Sequence, residues 1–322
     1  MANALGTLFG DIAAAIREKT GDTATMKPAE FPSKISGIEV GGGSGGGSLP
    51  AGVHYTPTPL KAPNVYSQAW YVWNGVRYAF TNAATGNGSL ANVYKMDDTT
   101  DTYTQLVSNT ATALGQGNAG QSVFLEYNGL LYIKTSDSTN YLIFDGTTLT
   151  KKTGIPKTAG AQSMFVHNGK LKVHIQNPST VYVFNESSEA WEEEATVLGG
   201  GYKNANVFTV NGVPYFVNSK KVYTYDGSTT TEVGAVADTM LIKPFAVGDV
   251  FYYGVTESGK PLALYKYDTV TNQNTKIGYA PFCYSAFSRF WEYDGKLSFL
   301  SNYDNSLSPT VSMTMHIIET AE

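Results

Sequence analysis

Two-residue turns recur along most of this chain, and they constrain its fold more than any other feature. An Asn-Gly or Asp-Gly pair follows an aromatic or β-branched run at Asn74-Gly75, Asn128-Gly129, Asn168-Gly169, Asn211-Gly212 and Asp294-Gly295. Gly248-Asp249 fills the missing slot in degenerate form. Both central residues of a type I′ hairpin turn need positive φ, which is why Asn-Gly and Asp-Gly mark hairpins so strongly. From Asn74 to Asp294 the five intervals average about 44 residues, and a strand-rich repeat of that period is the signature of propeller blades.

A second marker keeps the same rhythm. Tyr94-Lys95-Met96-Asp97, Leu142-Ile143-Phe144-Asp145, Tyr182-Val183-Phe184-Asn185, Tyr223-Thr224-Tyr225-Asp226 and Tyr265-Lys266-Tyr267-Asp268 each end a strand. The terminal Asp or Asn is suited to an Asx-turn that sends the chain into the next strand. Each repeat therefore reads as strand, primed turn, strand, loop, strand, Asx-turn, strand. Alternating aromatics fit blades buried on both faces. Only 15% of the residues are charged, against roughly 25% in typical soluble domains, while Tyr (22) and Gly (33) are abundant.

The repeats resemble those of kelch-type β-propellers, whose NGxxY-like hairpin is joined to a Y-x-[YF]-D turn with an aromatic soon after. Asn185 to Trp191 and Asp97 to Tyr103 fit that ending, although the family's Gly-Gly pair is absent. The resemblance spans roughly residues 64–318 and implies an all-β, six-bladed propeller. The sixth repeat lacks a complete set of strands, so residues around Val53–Thr56 are expected to complete its blade by strand exchange. The expected organisation is a helical segment over 1–40, a linker over 41–50 and the propeller over 51–322.

In the first segment Leu5, Leu8, Phe9, Ile12 and Ile16 follow amphipathic helical spacing, and forty residues are too few for an independent core. They are the candidate docking or oligomerisation stripe. GGGSGGGS at 41–48 is a flexible tether by composition, natural or engineered, with a reach of roughly 15 Å. Residues 11–38, with AIREKTG, Met26, Pro28, Phe31-Pro32, Ile35 and Ile38, resemble a motif at the start of tail-fibre and other appendage proteins of phages of Gram-positive hosts. That resemblance implies a virion protein, made in the host cytoplasm, that docks on other virion proteins through its N-terminus in several copies and presents its head to the host.

The net charge of −5 gives no electrostatic basis for a nucleic-acid partner, and no segment is suited to membrane insertion. Cys283 is alone, so no intramolecular disulfide forms. No metal or cofactor motif occurs: His167 should pair with Lys170 across its turn, which keeps it from facing His174. Asp97-Asp98 reads as a turn and Glu192-Glu193-Glu194 as a solvated blade edge. Trp70, Trp73 and Trp291 read as inter-blade core. Tyr202, Phe282, Tyr284 and Tyr303 lie nearer loops and are the candidate glycan-binding residues, because flat rings stack on sugar faces.

Two functional expectations follow. The leading one is a non-catalytic phage appendage or fibre whose propeller binds host-surface glycan. Its alternative is a propeller that degrades polysaccharide, with acids contributed by different blades.

Overall fold

In the computed structural model the described residues are 52–57, 68–82, 90–97, 100, 102–108, 123–134, 139–156, 163–203, 205–257, 262–280, 289–293, 296–300 and 313–318. The chain divides into one unit of residues 1–51 and 318–322 and a second unit of 52–317. The helical stripe expected at Leu5, Leu8, Phe9, Ile12 and Ile16 lies outside the described residues, as do the linker and Cys283.

Strand β1 (Gly52–Pro57) precedes five four-stranded blades. Blade one holds β2 (Gln68–Trp73), β3 (Val76–Asn82), β4 (Leu90–Asp97) and β5 (Thr102–Ser108). Blade two holds β6 (Val123–Tyr127), β7 (Leu130–Lys134), β8 (Tyr141–Phe144) and β9 (Leu149–Lys152). Blade three holds β10 (Ser163–His167), β11 (Lys170–Gln176), β12 (Ser179–Asn185) and β13 (Ala190–Thr196). Blade four holds β14 (Ala205–Val210), β15 (Val213–Asn218), β16 (Lys221–Tyr225) and β17 (Thr230–Ala235). Blade five holds β18 (Met240–Val247), β19 (Val250–Val255), β20 (Leu262–Asp268) and β21 (Gln273–Ala280). A hairpin of β22 (Arg289–Tyr293) and β23 (Lys296–Leu300) follows, and then β24 (Met313–Ile318).

The expected six blades are thus corrected to five. The sixth repeat has no Tyr-x-[Tyr/Phe]-Asp segment after β23, and among the described residues it forms only the β22–β23 hairpin. Instead β24 pairs with β1 in a two-stranded sheet, separate from the β22–β23 hairpin. The first strands of the blades lie side by side in chain order from β6 to β18, and β22 stands next to both β18 and β2.

Both repeating turns form as their chemistry dictates. The pairs Trp73↔Val76, Tyr127↔Leu130, His167↔Lys170, Val210↔Val213 and Val247↔Val250 each close a two-residue loop. Asn211 and Gly212 have φ of 47° and 79°, as a type I′ turn needs. In the degenerate turn the positive φ falls on Gly248, at 56°. Every expected Asx-turn is present: Asp97, Asp145, Asn185, Asp226 and Asp268 each accept a backbone N–H two or three residues on.

Packing occurs mainly between blades. Blades one and two share a core of Trp73, Tyr78, Phe80 and Phe144, with the rings of Tyr78 and Phe144 edge-on at 5.3 Å. Phe165, Phe216 and Tyr225 join blades three and four, and Tyr215, Phe251, Tyr253 and Tyr267 join blades four and five. Each buried ring contributes about 1.5–3 kcal/mol of burial energy, so the seams carry most of the stabilisation. Trp73 is buried as expected, and the side chains of Trp70 and Trp291 lie outside the described residues.

Candidate functional site

Because the blades repeat, a functional residue should show as a departure from the shared pattern. The first departure is on the first strands, two residues before each hairpin turn. Val72, Val166, Thr209 and Ala246 hold that position in four repeats, whereas β6 has Glu126 and β22 has Glu292. Strand β2 lies beside β22, and its Tyr71 reaches Phe124 and Glu126 of β6, so the two acids sit on the strands to either side of it. Glu126 is exposed, and the Tyr71 hydroxyl of β2 donates to its Oε1 at 3.2 Å. The Tyr71 ring is stacked on Phe124, with centroids 5.2 Å apart, which fixes the donor. Burial, and then the Glu126 carboxylate, push the Tyr71 phenol well above its usual range, so it stays a proton donor. A carboxylate oriented this way can accept a proton or attack a carbon centre. Glu292 is placed by register alone, opposite Leu297.

The second departure is a buried polar cluster where blades three and four meet. Three residues after the hairpin turn, Tyr78, Tyr132, Tyr215 and Tyr252 occupy four blades and Lys172 the fifth. The fourth strand also carries a β-bulge, with Leu106, Glu194, Val233 and Ile277 as the extra residue in blades one, three, four and five. A bulge re-aims the side chain it carries. Glu194, the one acid among the four, accepts from Lys172 Nζ at 2.7 and 2.6 Å and from the Tyr225 hydroxyl at 2.7 Å. Lys172 also lies 5.5 Å from the Tyr225 ring centroid, and the His167 ring packs on that same tyrosine at 5.5 Å. Burial and the Glu194 hydrogen bond raise the Tyr225 pKa, and with only 2% of the residue exposed no polymer reaches its hydroxyl. This cluster therefore joins blades and is not a substrate site.

The sequence-based site residues fare differently. Tyr202 is 62% exposed, the most exposed aromatic among the described residues. Its loop is braced by Ser179 N–H to Gly201 O at 2.8 Å and Lys203 N–H to Gln176 O at 3.0 Å. It lies past the end of β13, at the end of the blade away from the Asn-Gly turns, and so is not brought together with Glu126. Phe282, Tyr284 and Tyr303 lie outside the described residues. The acid run divides: Glu193 is exposed, Glu192 accepts from Asn185 at 2.7 Å, and the Glu194 side chain is only 23% exposed although its residue as a whole sits on an exposed outer strand. Glu194 is exposed as a residue, in keeping with the solvated-edge reading, but the bulge brings its carboxylate to Lys172 and Tyr225. His167 pairs with Lys170 as expected, and among the described residues no group of three metal-ligating side chains occurs. Glu126 and Lys172 were missed, although aligning the repeats on their turns shows both.

No protein-family model matches the chain, and neither does any curated protein sequence. Among solved structures it is similar to that of YjhT, with 12% identity, a TM-score of 0.54, and coverage of 81% of this chain and 94% of that one. It is also similar to Trypanosoma rangeli sialidase in complex with sialic acid (15% identity, TM-score 0.52) and to a mutant of that sialidase displaying trans-sialidase activity (15%, TM-score 0.50). Each covers 84% of this chain, which spans 60% of the sialidase chain. The likeness is one of fold. The expectation of a head without catalysis is corrected by these neighbours, since the propeller that this chain shares is one on which sialidases are built.

Proposed function

We propose that the propeller is a carbohydrate-active enzyme that cleaves glycosidic bonds, with Glu126 as one of its two working carboxylates. The observation that carries this is the exposed Glu126 on a first strand, held by the Tyr71 hydroxyl, where four other repeats have an uncharged residue. The second carboxylate is Glu292, in the same register on the other strand flanking β2. Most glycoside hydrolases use two carboxyl groups, one to protonate the leaving oxygen and one to attack or to activate water, sialidases being among the exceptions. The sialidase neighbours support cleavage of a glycosidic bond rather than the pairing of Glu126 with Glu292, and this chain's own sugar is left to experiment.

The test is to incubate the full chain with 4-methylumbelliferyl glycosides, the sialoside included, and with polysaccharide from Gram-positive cell walls. Release of fluorophore or reducing sugar is expected. Glu126→Gln and Glu292→Gln should each lower kcat by about 10²–10⁴-fold, the usual worth of a positioned acid or base. Turnover unchanged by both substitutions, with the fold intact by circular dichroism, would sink this assignment.

The braced, exposed Tyr202 favours a second role, glycan binding at the other end of the blades. A virion location with N-terminal docking is proposed on the 11–38 motif alone. Deleting residues 1–40 in an assembling phage tests it, and unchanged incorporation of the protein would remove it.

A further inference from the structure

Three positions that are apolar or phenolic in the other blades are titratable in blade three, and all three face blade four. Just before the hairpin turn stand Trp73, Tyr127, Val210 and Val247, but His167 in blade three. Lys172 replaces a tyrosine and Glu194 an aliphatic residue, as described above. We infer that the contact between blades three and four is an acid-sensitive seam, which loosens on protonation while the other seams hold.

At neutral pH Lys172 and Glu194 form one ion pair, Tyr225 donates to Glu194, and the His167 imidazole is neutral against the Tyr225 ring. Glu194 thus accepts three hydrogen bonds from two donors, which satisfies a charge that would otherwise be costly to cover. His167 is 8% exposed, and its Nδ1 has no hydrogen-bond partner. Blade four closes over it: the Cβ of any residue replacing Gly227 would lie 3.5 Å from His167 Cε1. A proton added to this ring sets a second cation near Lys172 and leaves a buried N–H without an acceptor.

The groups around His167 are Lys172 from β11, Glu194 from β13, Tyr225 from β16 and Asp226 from the turn after it. Burial lowers the His167 pKa and Lys172 lowers it further, while Glu194 and Asp226 oppose them. The same seam buries His174, whose ring meets Phe216 of blade four at 5.2 Å and whose Nε2 is 2.9 Å from Ser179 Oγ. Burial lowers its pKa to about 3. A histidine with a depressed folded pKa favours folding above its unfolded value, near 6.5, and that contribution is lost as pH falls below it. The seam should therefore hold at pH 7.5 and weaken through the range from 6 to 4.

The experiment is hydrogen exchange with mass spectrometry on the full chain at pH 7.5 and 5.0, corrected for intrinsic exchange rates. Peptides from β10–β13 and β14–β17 should open at least about tenfold more readily at pH 5.0, a factor set by about 1.4 kcal/mol, while those of β3 and β8 change less. His167→Val, which gives blade three the residue of blades four and five, should reduce the difference, the remainder coming from His174. The double variant Lys172→Tyr with Glu194→Leu restores the pattern of the other blades and should reduce it as well. An equal acid response at the seam of blades one and two overturns the inference, as does an undiminished response in a folded His167→Val protein. If neither variant folds, the wild-type pattern alone decides.

Discussion

At the scale of single residues, close packing between blades leaves positions where one added carbon matters. Gly234 of β17 is such a place, because a Cβ there would lie 2.1 Å from the Tyr267 hydroxyl and 3.2 Å from its Cζ. Its φ is not left-handed, so the reason for glycine is the neighbouring ring and not the backbone. Tyr267 is fully buried and its hydroxyl donates to Asn272 at 3.1 Å, so it has little room to retreat. Gly234→Ala should therefore cost about 1–3 kcal/mol, the usual range for overpacking. Urea denaturation measures this, and Tyr267→Phe should recover part of it in the double variant by removing the closest atom. Strictly additive losses would mean that the two side chains do not collide. The sequence could not show this contact, because Gly234 and Tyr267 meet only when blades four and five stack.

Elements are specified more plainly. The hairpins and Asx-turns were legible because each depends on two to four neighbouring residues. The bulges were not, since Leu106, Val233 and Ile277 look like ordinary strand residues and only the cross-strand register singles them out. The Asx-turn of blade two allows a direct test. Asp145 accepts from the backbone N–H of Thr147 and Thr148 at 2.8 and 2.7 Å and from both threonine hydroxyls at 2.9 and 2.5 Å. Those donors hold its carboxyl well below the usual carboxylate range. A depressed carboxylate stabilises the fold above its unfolded pKa, near 3.9, and that stability is lost as pH falls through and below this value. Asn185 performs the same turn in blade three with a neutral amide, accepting from Ser187 and Ser188. Asp145→Asn should therefore keep most of the stability at pH 7 and flatten its decline between pH 4 and 2. Asp145→Ala should lose about 1 kcal/mol at neutral pH, the worth of an ordinary hydrogen bond at an exposed site. Thermal melts across that range check both, and an Asn variant as acid-sensitive as the wild type would clear Asp145 of the effect.

For the whole propeller unit, the period of the turns revealed a ring of blades but counted one too many. Six turn signals imply six blades only if residues around Val53–Thr56 complete the unfinished sixth, and β1 pairs with β24 apart from the β22–β23 hairpin instead. The candidate carboxylate was hidden for a related reason: Glu126 is ordinary in sequence and distinctive only beside Val72, Val166, Thr209 and Ala246. The first strands close through β22, between β18 and β2, and the sheet of β1 and β24 joins two distant parts of the sequence. All four histidines of the chain occur at just two places, His167 and His174 at the seam of blades three and four, His54 and His316 on β1 and β24. Because β24 has one partner strand, only alternate residues offer their N–H to the ladder. Proline removes one N–H, so Thr314→Pro and Met315→Pro should differ sharply. The one that loses a ladder bond should melt several degrees lower and release β1 to limited proteolysis, while its neighbour is tolerated. If both prove silent, the pairing of the two chain ends contributes nothing to stability, and the blade seams alone hold the propeller closed.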